Sequence, residues 1–176
     1  IGMSYQRPPT IHGLKTRQLV KLCAAEEGLD EGNLARKVNF EEFLDRDVNA
    51  GFSGGEIKRS ELLQLMAQDP DLMLFDEPES GVDMENIQLV GGTIATLLQK
   101  DVQANGDKTR MAKKLERSKM GLIITHTGYI LDYLTADKGQ VLYEGRLSCI
   151  SNPREILRCV GESGYKECVR CITETS

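Results

Sequence analysis

The sequence predicts an α/β fold in which an α-helical subdomain is inserted between two strands of a parallel sheet. Three observations carry this expectation. Two short, wholly apolar runs, Leu72-Met73-Leu74-Phe75 and Gly121-Leu122-Ile123-Ile124, end on polar residues, as strands do when a parallel sheet is covered on both faces. Stretches with helical spacing alternate with these runs, which is the pattern of a layered α/β protein. Residues 14 to 68 break that alternation, because they hold helical pieces and little that resembles a strand.

Each element follows from local chemistry. Ile1-Gly2-Met3-Ser4-Tyr5 reads as the end of a strand with no lead-in, so we expect the sequence to begin inside a domain. Arg7-Pro8-Pro9 forces an extended connection, since proline disfavours helix in the residue before it. Residues 14–29 and 38–46 read as helices. A further helix starts at Ser53 and runs to about Gln68, where Asp69-Pro70 stops it. The buried strand at 72–75 leads into Asp76-Glu77-Pro78. Ile87, Val90, Ile94 and Leu97 give residues 84–99 helical spacing. A second buried strand ends at His126 and a short helix follows over about 128–134. Residues 140–149 read as a hairpin turning at Glu144-Gly145. Asn152-Pro153 opens the last helix, with proline at its first position. The expected division is core strand and loop at 1–13, helical subdomain at 14–68, core at 69–150 and helical tail at 151–176.

Bulk properties exclude several classes. A chain of 176 residues is about one domain. It is 40% hydrophobic and 28% charged, ordinary for a globular protein. A net charge of −5 gives no support for wholesale nucleic-acid binding. The basic run from Lys108 to Lys119 reads as a solvated helix face or linker. No apolar run approaches the roughly 20 residues needed to cross a bilayer, and no secretory signal is visible. Five cysteines, an odd number, fit a reducing cytosol better than a disulfide framework.

The chemistry is concentrated in four places. FSGGEIKR, residues 52–59, reads as a helix start built for an anion. Ser53 can accept from the first free N–H groups, and Gly54 and Gly55 let the backbone approach a ligand at the positive end of the helix. Asp76 and Glu77 follow an apolar strand at the end where parallel sheets place ligands. One can hold Mg²⁺ and the other can orient or deprotonate a water; the plain alternative is an acid pair at a helix start. His126 ends another strand. It either contacts a phosphate and its attacking water or is a satisfied polar residue at a strand end. Gln6 can offer an amide oxygen to Mg²⁺ and an N–H to water, but alone it carries no signal. Cys168-Val169-Arg170-Cys171 supplies two ligands of the four that a tetrahedral site needs, so a reduced pair and half of a metal site both remain open. The loop G-x-x-x-x-G-K-[ST], which normally cradles the phosphates of a nucleotide triphosphate, occurs nowhere in the 176 residues.

Taken together, the set resembles the ATPase subunit of ATP-binding-cassette (ABC) proteins, in order and spacing over nearly the whole chain. Gln6 is similar to the Q-loop glutamine, FSGGE (52–56) to the signature motif, and LMLFDE (72–77) to Walker B with its catalytic glutamate. SGVD (80–83) is similar to the D-loop and His126 to the switch histidine. SGGE followed by Ile-Lys-Arg, DEPESGVD, ITHTGYILDYLTAD before VLYEGRL, and the tail GYKECVRC resemble the SufC group of ATPases in SUF iron–sulfur cluster assembly, in its archaeal form.

The resemblance implies a P-loop NTPase core whose Walker A part would precede Ile1. It implies ATP and Mg²⁺ as cofactors, with Glu77, His126 and Gln6 catalytic and Asp76 and Gln6 on the metal. Ser53, Gly54, Gly55, Glu56 and Asp83 would serve the nucleotide. It further implies a transient head-to-tail dimer of two ATPase subunits, so that Ser53 acts on ATP held by the other subunit. SufB/SufD-type scaffold partners and a cytoplasmic location complete that picture, with no nucleic acid and no direct membrane insertion. A transporter ATPase and a docking module without catalysis are the alternatives; without the Walker A loop, these 176 residues alone are expected to be inactive.

Overall fold

The computed structural model describes residues 1–100, 116–148 and 150–173, with side chains as far as residue 168. They form two compact units, Ile1–Leu134 and Thr135–Ser176.

The first unit is built on a parallel sheet of β1 (Gly2–Ser4), β4 (Leu72–Asp76) and β5 (Met120–Ile124), in the order β1-β4-β5. Met3 pairs with Leu74, which pairs with Leu122. Successive side chains on a strand point to opposite faces. Ser4, Met73 and Phe75 are buried on one face, where Met73 and Phe75 pack with the apolar side chains Leu62 and Leu65 of α3 (Gly54–Gln68) and Val90 and Ile94 of α4 (Met84–Leu97). Burying such side chains contributes about 1.5–3 kcal/mol each.

The other face differs from the expectation. Residues 72–75 and 121–124 were read as strands covered on both sides, yet Met120, Leu122 and Ile124 are 66%, 58% and 56% exposed. Strand β5 is the sheet's edge, and among the described residues no element covers this face.

The helical insertion is assembled around a second apolar cluster. α1 (Thr16–Cys23) and α2 (Glu31–Lys37) bring Val20 and Ala35 against Val38, Phe40, Leu44, Leu63 and Ala67. α3 therefore has two buried sides, Leu62 and Leu65 toward the sheet and Leu63 and Ala67 toward the insertion. Asp69, at φ 44°, ends it in the left-handed region, just where Asp69-Pro70 predicted a stop. Several details of the insertion depart from expectation: the helix read over 14–29 ends at Cys23, and α2 falls between the two stretches read as helical. Residues 38–46 form only a short 3₁₀ turn (Glu41–Phe43), because Phe40 must enter the core and Asn39 adopts φ 50° to turn it inward. A small antiparallel pair, β2 (Ile11–Lys15) with β3 (Asp47–Val48), closes the insertion where no strand was expected; Lys15 pins it by donating to Asp47 at 2.8 Å. The helix expected over 128–134 is likewise a 3₁₀ turn, Tyr129–Asp132, entered through Gly128 at φ 73°.

The second unit pairs β6 (Leu142–Tyr143) with β7 (Arg146–Leu147) across the expected Glu144-Gly145 turn, both residues at positive φ. α5 (Pro153–Thr173) follows, broken at Gly164. Val141, Ile156 and Cys168 form its small core. Cys168 is thus buried among apolar groups, whereas the side chain of Cys171 and most of the basic run 108–119 lie outside the described residues.

Candidate functional site

Three parallel strands deliver three polar side chains beyond their carboxyl ends. Gln6 follows β1, Glu77 follows β4 and His126 follows β5. Gln6 Nε2 donates to Glu77 Oε2 at 2.5 Å, and His126 Nδ1 lies 3.0 Å from Glu77 Oε1. One carboxylate is therefore addressed by both neighbours. The imidazole is 62% exposed and Glu77 19%, so the group opens to solvent. Glu77 itself sits at φ 45°, held there because its N–H donates to Ile124 O at 2.9 Å and its carbonyl accepts from Ser80 N–H at 3.0 Å. For an L-residue this conformation costs about 1–2 kcal/mol. Such outliers gather at functional sites.

The donor set fits Mg²⁺. The carboxylate of Asp76 takes no hydrogen bond or ion pair among the described residues, and the Gln6 amide, with its nitrogen engaged by Glu77, keeps its oxygen for a cation. No group of three or more His, Cys, Asp or Glu side chains among the described residues forms a metal cage. Mg²⁺ suits that situation, since it is usually held by one or two protein oxygens and completed by water and phosphate.

Beneath this group lies a buried ion pair that sequence reasoning missed. Lys58 and Glu61, one turn apart on α3, are 2% and 5% exposed, with Nζ 3.6 Å from Oε2. Lys58 Nζ also donates to Tyr5 O and, at 3.5 Å, to Asp76 O. Glu61 accepts from Ser4 Oγ at 2.9 Å and Tyr5 N–H at 2.8 Å. α3 thus grips the backbone just before Gln6 and just before Glu77. Burial lowers the Lys58 pKa, with the Glu61 charge opposing; burial raises that of Glu61, with the Tyr5 N–H and Lys58 opposing. The only signal was a Lys and a Glu at helical spacing on a helix buried on both sides.

The start of α3 forms a second group. Ser53 caps it, accepting from Glu56 N–H at 3.3 Å while Glu56 Oε2 accepts from Ser53 N–H at 2.8 Å. This reciprocal pair leaves the N–H groups of Gly54 and Gly55 unclaimed among the described residues. A Cβ at Gly54 would run into the Gly81 carbonyl, and one at Gly55 would stand 3.1 Å from Asn86 Cγ. The segment holding Gly81 and Asp83 therefore packs directly on the α3 start. Asp83 caps α4, accepting from Glu85 and Asn86 N–H and from Asn86 Nδ2. The Asn86 backbone N–H, then its side chain, hold the Asp83 carboxyl below the usual range.

Glu79 was also missed. It is 6% exposed and accepts from the hydroxyls of Thr125 and Thr127, the latter at 2.9 Å, while its Oε2 has no hydrogen-bond partner among the described residues. The signal was the pair of threonines flanking His126, whose hydroxyls both reach Glu79.

Comparison with known proteins bears on the fold. No family model matches the chain. In solved structures it superposes on a metal-chelate type ABC transporter with a TM-score of 0.66 at 15% identity, covering 94% of this chain and 63% of that one. It superposes on a bacterial Atm1-family ABC exporter with ATP bound at 0.64 and 18% identity, covering 95% and 27%. The fold is that of an ABC-type ATPase domain of the P-loop NTPase class, over part of its length. In sequence, the chain is similar to the SufC group. It is 29% identical over 180 residues to "Probable ATP-dependent transporter SufC" of Escherichia coli (strain K12), covering 94% of this chain and 65% of that protein. It is 30% identical to the ycf16 protein of Cyanophora paradoxa, covering 84% and 56%. A "Probable ABC transporter ATP-binding protein" of Streptococcus pyogenes serotype M3 is 36% identical over 125 residues, covering 71% and 42%. The chain spans less than two thirds of the length of these relatives.

Proposed function

We propose that these residues are the hydrolytic and signature portion of an ATPase subunit serving iron–sulfur cluster assembly. The observation that carries the reading is the convergence of Gln6 and His126 on Glu77. Glu77 acts as base toward a water at a γ-phosphate, His126 and Gln6 orient water and carboxylate, and Asp76 with the Gln6 amide oxygen holds Mg²⁺, which supplies charge stabilisation when bound. The free N–H groups of Gly54 and Gly55 meet a phosphate held by a second ATPase subunit; preorganised donors of that kind are worth about 2.7–4 kcal/mol each. Similarity to SufC supports SufB/SufD-type scaffold subunits as partners and the cytoplasm as the place of work. Among the described residues no helix is long and apolar enough to cross a membrane. The streptococcal relative favours a second reading, the ATPase of a transporter.

The test joins a G-x-x-x-x-G-K-[ST] segment from a SufC-type relative ahead of residue 1. The 176 residues alone should neither bind ATP tightly nor hydrolyse it, and the completed protein should do both. Mixing one completed variant changed at Ser53 with another changed at the phosphate-loop lysine should restore part of the activity, since one site of the mixed dimer then carries neither lesion. A folded, ATP-binding completed protein without turnover would overturn the reading. Capture of scaffold subunits, as against membrane subunits, separates the two readings.

A further inference from the structure

We propose that Glu79 is a positioning residue that fixes the loop presenting His126. Its Oε1 accepts from Thr125 Oγ1 and from Thr127 Oγ1, the residues on either side of the histidine. Each hydroxyl passes the order on. Thr125 Oγ1 accepts from Gly128 N–H at 2.8 Å, and Thr127 Oγ1 accepts from Tyr129 N–H at 3.4 Å. A hydroxyl that donates to a carboxylate has its lone pairs directed elsewhere, here at the two amides that open the Tyr129–Asp132 turn. One carboxylate oxygen thus orients two side chains and two backbone groups around His126.

A neutral acceptor would suffice to cap a turn. A carboxylate that is 6% exposed, with Oε2 unpaired among the described residues, is a costly choice for that purpose alone. Its position ties it to Glu77. Glu77 and Glu79 lie two residues apart in the loop after β4, so the loop that carries the carboxylate facing the imidazole also carries the carboxylate holding the histidine's flanks. The Ser80 N–H to Glu77 O bond and the Val82 N–H to Glu79 O bond, at 3.2 Å, tie that loop into one turn. The distance from ring to Glu77 is therefore set within one small hydrogen-bonded unit. The catalytic value of this arrangement rests on the function proposed above; the arrangement itself does not.

The experiment uses the 176-residue chain labelled with ¹⁵N, without nucleotide. Glu79→Leu removes the acceptor. It should shift the His126 ring-nitrogen resonances toward those of a free imidazole and speed exchange of the Gly128 amide about tenfold, while β4 and α4 amides stay protected. Glu79→Gln keeps one amide oxygen in place and should restore most of both signals. Thr125→Val combined with Thr127→Val should reproduce the leucine variant. Unchanged His126 resonances and Gly128 exchange in a folded Glu79→Leu protein would overturn the proposal. If that variant does not fold, Thr127→Val alone decides: a displaced His126 signal supports it and an unmoved one overturns it. Because no ATP is present, failure here is distinct from failure of the completed protein to turn over.

Discussion

Glu77 faces Gln6 on one oxygen and His126 on the other, so replacing the charge without the shape separates binding from turnover. In the completed protein Glu77→Gln should bind ATP as before and lose about 10²-fold or more in turnover, measured as phosphate release against nucleotide retention. Asp83 gives a pH signature. Its folded pKa lies below the unfolded one, so its contribution is present above about pH 4 and is lost as pH falls through the folded value. The melting temperature of the chain should exceed that of Asp83→Asn near neutrality, and the gap should close in acid. Gln6, Glu77 and His126 were gathered into a set by the family resemblance; the structure brings them together because each follows a strand, and parallel strands bring their carboxyl ends together. Lys58, Glu61 and Glu79 were not legible. Charged residues normally read as solvated, and only the long-range partners Tyr5, Ser4, Thr125 and Thr127 show that these three are buried.

At the scale of elements, α3 depends on its first turn. Ser53→Ala removes the reciprocal cap and should destabilise the chain by about 1 kcal/mol, read from a denaturant midpoint at unchanged slope. Gly54→Ala should cost more, about 1–3 kcal/mol, because its methyl meets the Gly81 backbone rather than a movable side chain. The helix itself could be read from Ser53, Glu56 and the Asp69-Pro70 stop. The β2–β3 pair could not, since Ile11–Lys15 pairs with two residues more than thirty positions away and neither piece alternates over a useful length. The turn at Tyr129–Asp132 stayed short because Gly128 enters it at positive φ and Ile130 is drawn into the sheet core.

Over the whole molecule, the α/β class and the parallel sheet were legible from two apolar runs, but their degree of cover was not. An apolar run shows what a strand can bury, not what lies against it. Met3, Leu122 and Ile124 share an open face, and large exposed apolar patches favour association. The 176-residue chain should self-associate as its concentration rises, by sedimentation velocity. Leu122→Lys with Ile124→Glu should suppress this without reducing the protection of β4 amides.

The turn at Glu77 also sets a trade between durability and work. Glycine occupies φ 45° without penalty, so Glu77→Gly should make the chain as stable or more stable, by up to about 1 kcal/mol, although it deletes two side-chain contacts. Selection for stability alone would have no use for a carboxylate at this position. On the function proposed above, a sequence optimised for heat resistance and one optimised for turnover would part company at residue 77.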